Sequence, residues 1–289
     1  MVATEPVTVD VATARGRPRP LRWLGGAVLV VLAAQVAWFL THNDRLEWPV
    51  VADYLFDPNV LAGLGTSIML TVVAMVAGSV LGVLLAMGQL ADFAPVRWVC
   101  TVYVGLFRGI PPLVQLLFWF NLAYLLPRLS IGVPFGPTFG SWSTNDVITP
   151  LTAALIGLTL HEAAYMAEIV RAGILSVDTG QRDAAMAMGF TDGQAFLRVV
   201  LPQAMRVIIP PSGSQFISLM KGTSLVSVIA MTDLLHAVQS VYNQTYQIVP
   251  LLLVACFWYL VVVTALSFGQ QRLERRFGRG QWSTGRRQA

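Results

Sequence analysis

Charge is what this chain has least of. Lys, Arg, Asp and Glu together make up 12% of its 289 residues, about half the share usual in a soluble domain. Hydrophobic residues make up 55%, so a soluble core under a charged surface is excluded and a chain that lives in a bilayer is implied. Cysteine is almost missing. Cys100 and Cys256 both sit inside apolar runs, which excludes a disulfide framework and predicts two small buried hydrophobes. Catalytic motifs are missing too. No GxSxG occurs, so there is no nucleophile elbow. HEAAY at His161–Tyr165 starts like a zinc helix but has Tyr165 where the second histidine is required, so the metal would lose a ligand. KGTS at Lys221 has Met220 where a phosphate loop needs glycine. No catalytic residue, metal or cofactor is expected, and the chain cannot power itself. Its net charge of +4 comes from arginines clustered in the two tails beside apolar runs. Anionic lipid headgroups are the nearer partner there, and nucleic acid is not needed.

What is present is a series of long apolar segments. After a polar tail to Arg22 whose prolines forbid regular helix, Leu24–Leu40 is long enough to cross a bilayer. No small-x-small cleavage site follows it, so it reads as a retained span and not a signal peptide. Five more spans follow, at about Leu61–Leu90, Val96–Leu126, Leu151–Arg171, Ile208–Met231 and Val249–Phe268. Such segments can span only as helices, because hydrocarbon offers backbone polar groups no partner. The fold class is therefore all-α integral membrane, with about six transmembrane helices. Gly78 and Gly82, one turn apart, permit close helix approach.

Orientation follows from Lys and Arg. With the amino terminus inside, the inner segments hold fifteen of them, the outer segments only Arg45 and Arg128, and Arg108 and Lys221 fall within spans. That asymmetry puts both termini in the cytoplasm. The outer segment Pro127–Pro150 is rich in Gly, Pro and aromatics, including Phe135, Phe139 and Trp142.

Between the fourth and fifth spans lies Gly180–Pro202, GQRDAAMAMGFTDGQAFLRVVLP. Asp183 suits a helix start, with Ala184, Ala185 and Met188 following at helical spacing. Gly189 supplies a left-handed stop, and Thr191 with Gln194 has the form of a capping box that opens a second helix toward Pro202. The product is a knob with small side chains on its exposed face. DAAxxxG, nine residues and VxLP resemble the signature loop of ABC importer permeases, with Asp183 for Glu and Val199 for Ile. FRGIPPLVQLLFWF, AAYMAEIVRAGILSV, LPQAMRVIIPP and KGTSLVSVI extend the resemblance over roughly Val60–Gly269. Together they are similar to the polar amino acid branch of that family, the histidine, glutamine and arginine type.

The resemblance implies a five-helix core that starts outside, to which residues 23–41 add one span. It divides the chain into a tail (1–22), the extra helix (23–41), an external segment (42–59), the permease domain (60–269, with a coupling loop at about 172–206) and a basic tail (270–289). It implies residence in a bacterial cytoplasmic (inner) membrane. The implied partners are ATP-binding subunits that grip Gln181, Asp183, Ala184, Ala185 and Gly189, a second permease subunit, identical or homologous, an external solute-binding protein, the lipid bilayer, and an amino acid as substrate. ATP stays on the partner subunit. An ion-driven secondary amino acid transporter is the competing reading, since it too uses broken helices and mid-depth charges.

Charges within spans are costly, about 3 kcal/mol each on insertion scales. Arg108 and Glu162 reach similar depths from opposite ends of their spans, and Gly109, Pro111 and Pro112 break the helix after Arg108 and free carbonyls. Two readings stay open. Arg108 receives a substrate carboxylate while Glu162, with Tyr165 one turn on, receives the ammonium group, or Arg108 and Glu162 simply neutralise each other. Lys221, beside Gly222 where the family usually has Asp, either touches substrate or is a packing charge.

Overall fold

The computed structural model describes residues 20–133 and 136–277. The chain divides into two compact units, Met1–Glu47 and Trp48–Ala289. In the first unit, α1 (Pro20–His42) is followed by a 3-10 turn at Asp44–Leu46. Its stretch Leu24–His42 has 19 residues, none buried, and at about 1.5 Å per residue it matches the hydrocarbon thickness. Apolar side chains cover it on every side, as a helix solvated by lipid requires. The Trp38 and His42 rings stack at 3.6 Å, and the Thr41 hydroxyl donates to Ala37 O at 2.9 Å. Residues 20–22, read from sequence as tail, are already helical; the rest of that expected tail, with Arg15, Arg17 and Arg19, lies outside the described residues.

The second unit begins with α2 (Trp48–Leu55), a short helix inside what composition reads as an external segment, and α3 (Pro58–Gln89). The Asp57 carboxylate caps α3 by accepting from Asn59 N at 2.8 Å, with Pro58 preorganised at the first position. Next come α4 (Ala94–Gly109), α5 (Pro112–Phe120), α6 (Leu122–Leu125), a hairpin of β1 (Arg128–Gly132) and β2 (Thr138–Ser143), and α7 (Thr144–Val147). Then follow α8 (Pro150–Leu175), α9 (Thr179–Ala187), α10 (Asp192–Ala195), α11 (Leu201–Gly222), α12 (Leu234–Thr245) and α13 (Ile248–Phe277).

Two expected spans differ from a straight rod. The segment read as Val96–Leu126 is α4 and α5, bent by 103° across Ile110–Pro111, because consecutive prolines remove donors and the residue before each is driven out of the helical region. The segment read as Ile208–Met231 starts earlier, at Leu201, and ends in a 3-10 stretch Thr223–Ile229, after which Ala230 is left-handed at φ 56°. It then bends 43° into α12. The loop after α6, within the outer segment read from sequence, holds a short two-stranded hairpin, and the fold class stays all-α. Its strands pair antiparallel with Leu129 opposite Trp142, and Phe139 and Trp142 are exposed, while Phe135 lies outside the described residues. The basic tail read from residue 270 is helical as far as Phe277, with Arg279, Arg286 and Arg287 again outside the described residues.

α8 is the axis of the bundle. A Cβ on Gly78 would lie 2.8 Å from Glu162 Cβ, and one on Gly82 would lie 2.6 Å from Met166 Cβ. Only hydrogen fits at either position. Between helices in lipid the attraction is close packing, not expulsion of water, so such small residues set the contact. Around this seam, Leu70, Ala74, Leu116, Ala154, Leu158 and Val226 form one core, and Val51, Val60, Leu64, Met220, Leu234, Leu251 and Val254 join α2, α3, α11, α12 and α13 in a second. Cys100 is half-buried and Cys256 exposed on α13. The expectation of two buried cysteines therefore fails for Cys256 and holds only in part for Cys100.

Candidate functional site

Two features meet the chemistry expected of a site: a polar cluster within the bundle, and the hairpin at the end where α8 stops.

The cluster begins at the α4–α5 break. Pro111 and Pro112 leave carbonyls without helical donors, and the Gln115 amide supplies them: Nε2 donates to Ile110 O at 2.8 Å and to Phe107 O at 2.9 Å. The same nitrogen lies 3.3 Å from His161 Nδ1, which joins the break to α8. Gln115 lies within the motif FRGIPPLVQLLFWF, but its role is not legible there, because nothing in a linear motif says that the chain turns back.

Arg108 and Glu162 do not meet. Arg108 Nη1 pairs with Glu168 Oε2 at 3.7 Å, and its guanidinium sits 5.5 Å from the Tyr165 ring centroid. Glu168 is held harder by Arg171, at 2.6 Å. The reason is helical phase. His161, Tyr165 and Glu168 follow at i, i+4 and i+7 and share one stripe of α8, with the His161 and Tyr165 rings 4.8 Å apart. Glu162 lies about 100° away around the helix and is fully buried, against Gly78. Its Oε2 accepts from Gln215 Nε2 at 3.1 Å, while Oε1 has no partner among the described residues. Mutual neutralisation of Arg108 and Glu162 is thus corrected: the spacing Tyr165-x-x-Glu168 held the signal. Lys221, in the last turn of α11, is exposed and makes no ion pair among the described residues. A cation suits a helix carboxyl end.

The hairpin is built as the local chemistry dictates, with one shift. α9 is capped by Asp178, which accepts from Gly180 N at 2.7 Å, so Asp183 lies in the second turn and not at the start. The stop is a Schellman motif. Phe190 N donates to Ala185 O at 3.1 Å, Gly189 N donates to Met186 O at 2.9 Å, and Gly189 takes φ +88°. Thr191 and Gln194 form the reciprocal capping box. Arg182 Nη2 and Asp192 Oδ1, 2.9 Å apart, tie the two arms. Gln181, Asp183, Ala184 and Gly189 are exposed, but Ala185 is buried between the arms. The exposed apolar groups are instead Met186, Met188 and Leu197. From α10 the helix continues without a gap through a π turn at Phe196–Val200 into α11. Pro202 explains that turn, since it has no N–H for Arg198 O and its ring crowds that carbonyl.

The chain is similar to permeases of known systems. It is 38% identical over 270 residues to the arginine transport system permease protein ArgU of Corynebacterium glutamicum, covering 92% of this chain and 83% of the relative. It is 36% identical over 232 residues to the glutamate/aspartate import permease protein GltK of Escherichia coli O157:H7, covering 80% and 98%. Among solved structures, that of an amino acid ABC transporter with histidines aligns at TM-score 0.66 and 30% identity, covering 76% of this chain and 95% of that one. The MetNI methionine ABC transporter, at 22% identity and TM-score 0.58, shares the fold. The family described as binding-protein-dependent transport system inner membrane component matches residues 78–279. With these helices, this hairpin and that match, the chain belongs to this family and is a permease subunit of an ABC importer.

Proposed function

We propose that the solute is a polar amino acid, delivered from outside by a binding protein and admitted by ATP hydrolysed on separate subunits. The relatives' names support the solute class. One observation carries the coupling: the α9–α10 hairpin is fixed by a Schellman stop, a capping box and the Arg182–Asp192 pair, and it runs without a gap into α11. Movement of the hairpin therefore has to move α11, as a lever between two states of access. In this reading Gln181, Asp183, Ala184 and Gly189 touch the ATP-binding subunits, Met186 and Met188 supply the apolar contact, and Ala185 holds the arms together from within. A second permease subunit completes the path. The hairpin faces the cytoplasm, as do both termini, in a bacterial inner membrane.

For the path itself, Arg108 under Tyr165 receives the solute carboxylate, and Lys221 lines the gate. Glu162 is enclosed by Gly78 and Gln215, so its part is positioning. The exposed Phe139 and Trp142 of the hairpin outside the membrane supply the binding-protein contact. The test is uptake of labelled amino acid into proteoliposomes that hold the chain with its partner subunits. Uptake should require ATP and the ATP-binding subunits. Uptake sustained by an ion gradient without those subunits contradicts the proposal and revives a secondary carrier.

A further inference from the structure

A second pocket adjoins the polar cluster on the hairpin side and shares Arg108 with the path proposed above. Gln89, Arg97, Thr101, Gly105, Arg108, Glu168 and Arg171 line a space of about 390 Å³ between α3, α4 and α8. Gln89 is the last residue of α3 and Arg97 the fourth of α4, and Arg171 lies four residues before the end of α8. The pocket therefore opens at the end of the bundle that carries the α9–α10 hairpin. Three guanidinium groups face one carboxylate, and that carboxylate is committed: Glu168 accepts from Arg171 Nη2 at 2.6 Å and Nε at 3.2 Å. Arg108 has only the 3.7 Å contact with Glu168 as an ion pair, beside its place 5.5 Å from the Tyr165 ring centroid. Arg97 enters none of the ion pairs among the described residues and donates once, from Nη1 to Ala91 O at 3.1 Å. Each guanidinium has five N–H donors in a fork that matches an oxyanion, so most of the donors here have no acceptor among the described residues. In the same pocket Gln89 Oε1 is buried and lacks a donor among the described residues. The floor is open, since nothing lies within 4 Å of a Cβ placed on Gly105.

We infer that this pocket binds one phosphate-type oxyanion that also carries a hydroxyl group. Its oxygens meet Arg97 and Arg108, and the hydroxyl donates to Gln89 Oε1. The orientation proposed above puts the opening in the inner leaflet, level with the exposed Phe93 and Trp98 at the start of α4, where aromatic side chains mark the interface. The headgroup of phosphatidylglycerol has both the phosphate and the hydroxyl. A free phosphate from the cytosol shares the first and, when protonated, the second. Basic pockets between helices on that side of a membrane suit such groups.

Native mass spectrometry of the full chain in neutral detergent tests this, with phosphatidylglycerol, phosphatidylcholine or inorganic phosphate added. Wild type should retain phosphatidylglycerol in preference to phosphatidylcholine. Arg97→Gln, which removes charge, and Gly105→Leu, which fills the floor and keeps every charge, should each lower retention by about fivefold. Thermal unfolding of each variant, read beside the spectra, confirms that it is folded. Displacement of the lipid by millimolar phosphate identifies the free anion as the occupant, and lipid held against phosphate identifies the headgroup. Equal retention of the two lipids, or unchanged retention in both folded variants, overturns the inference.

Discussion

At the scale of the residue, one amide decides whether the α4–α5 bend is tolerable in lipid. Gln115 Nε2 is the donor to both Phe107 O and Ile110 O. Gln115→Leu keeps the size and removes that donor, so it should cost about 1–3 kcal/mol, the penalty of a buried carbonyl left unpaired. Thermal unfolding in detergent reads this, and an unchanged midpoint would deny Gln115 its role. Arg108 and Glu162 are expected to part company in the same assay set. Arg108→Gln should abolish uptake, whereas Glu162→Gln should lower yield and leave solute preference unchanged. A change of preference with Glu162→Gln would restore it as a solute contact. The sequence marked both charges as anomalous, correctly, because their cost depends only on being inside a span. It did not pair them correctly, since pairing depends on helical phase and on a bend that composition does not display. The i, i+4, i+7 row His161, Tyr165, Glu168 was there to be read.

At the scale of the element, straight apolar helices were legible and interrupted ones were not. The bounds of α3, α8 and α13 fall within a few residues of the hydropathy reading except at the last helix's far end, because a lipid-solvated helix must be apolar throughout its length. The prolines at 111 and 112 announced a break but not its angle, and the π turn before Pro202 was invisible. The α9 stop was legible because a left-handed residue needs glycine, so Gly189→Ala should cost roughly 1–2 kcal/mol. Loss of ATP-driven uptake with the protein still inserted is the expected readout. Unaltered uptake would mean that the turn is not part of the lever. On the α3–α8 seam, Gly82→Leu drives a side chain into Met166 Cβ, 2.6 Å from where its own Cβ must sit. This should abolish recovery of folded protein, since overpacking of a tight interface costs about 1–3 kcal/mol even when side chains adjust. Gly65→Leu, where nothing lies within 4 Å, should be tolerated, and equal yields of the two would refute the seam.

At the scale of the whole molecule, the proposed lever is the α9–α10 hairpin, which runs without a gap into α11. The composition pointed to a membrane protein and the motifs to its family, but neither showed which hairpin residues face outward. Helix packing settles that, by turning Ala185 inward and Ala184, Met186 and Met188 outward. The direct measurement is cysteine crosslinking in inverted membrane vesicles. The starting protein has Cys100 and Cys256 replaced by serine, carries a single new cysteine, Ala184→Cys or Ala185→Cys, and is coexpressed with the ATP-binding subunit. Ala184→Cys should capture that subunit with a yield that changes on adding ATP, and Ala185→Cys should not. Capture by neither position, or labelling of Ala184→Cys by a membrane-impermeant reagent applied from the outer side of intact cells, would contradict the account.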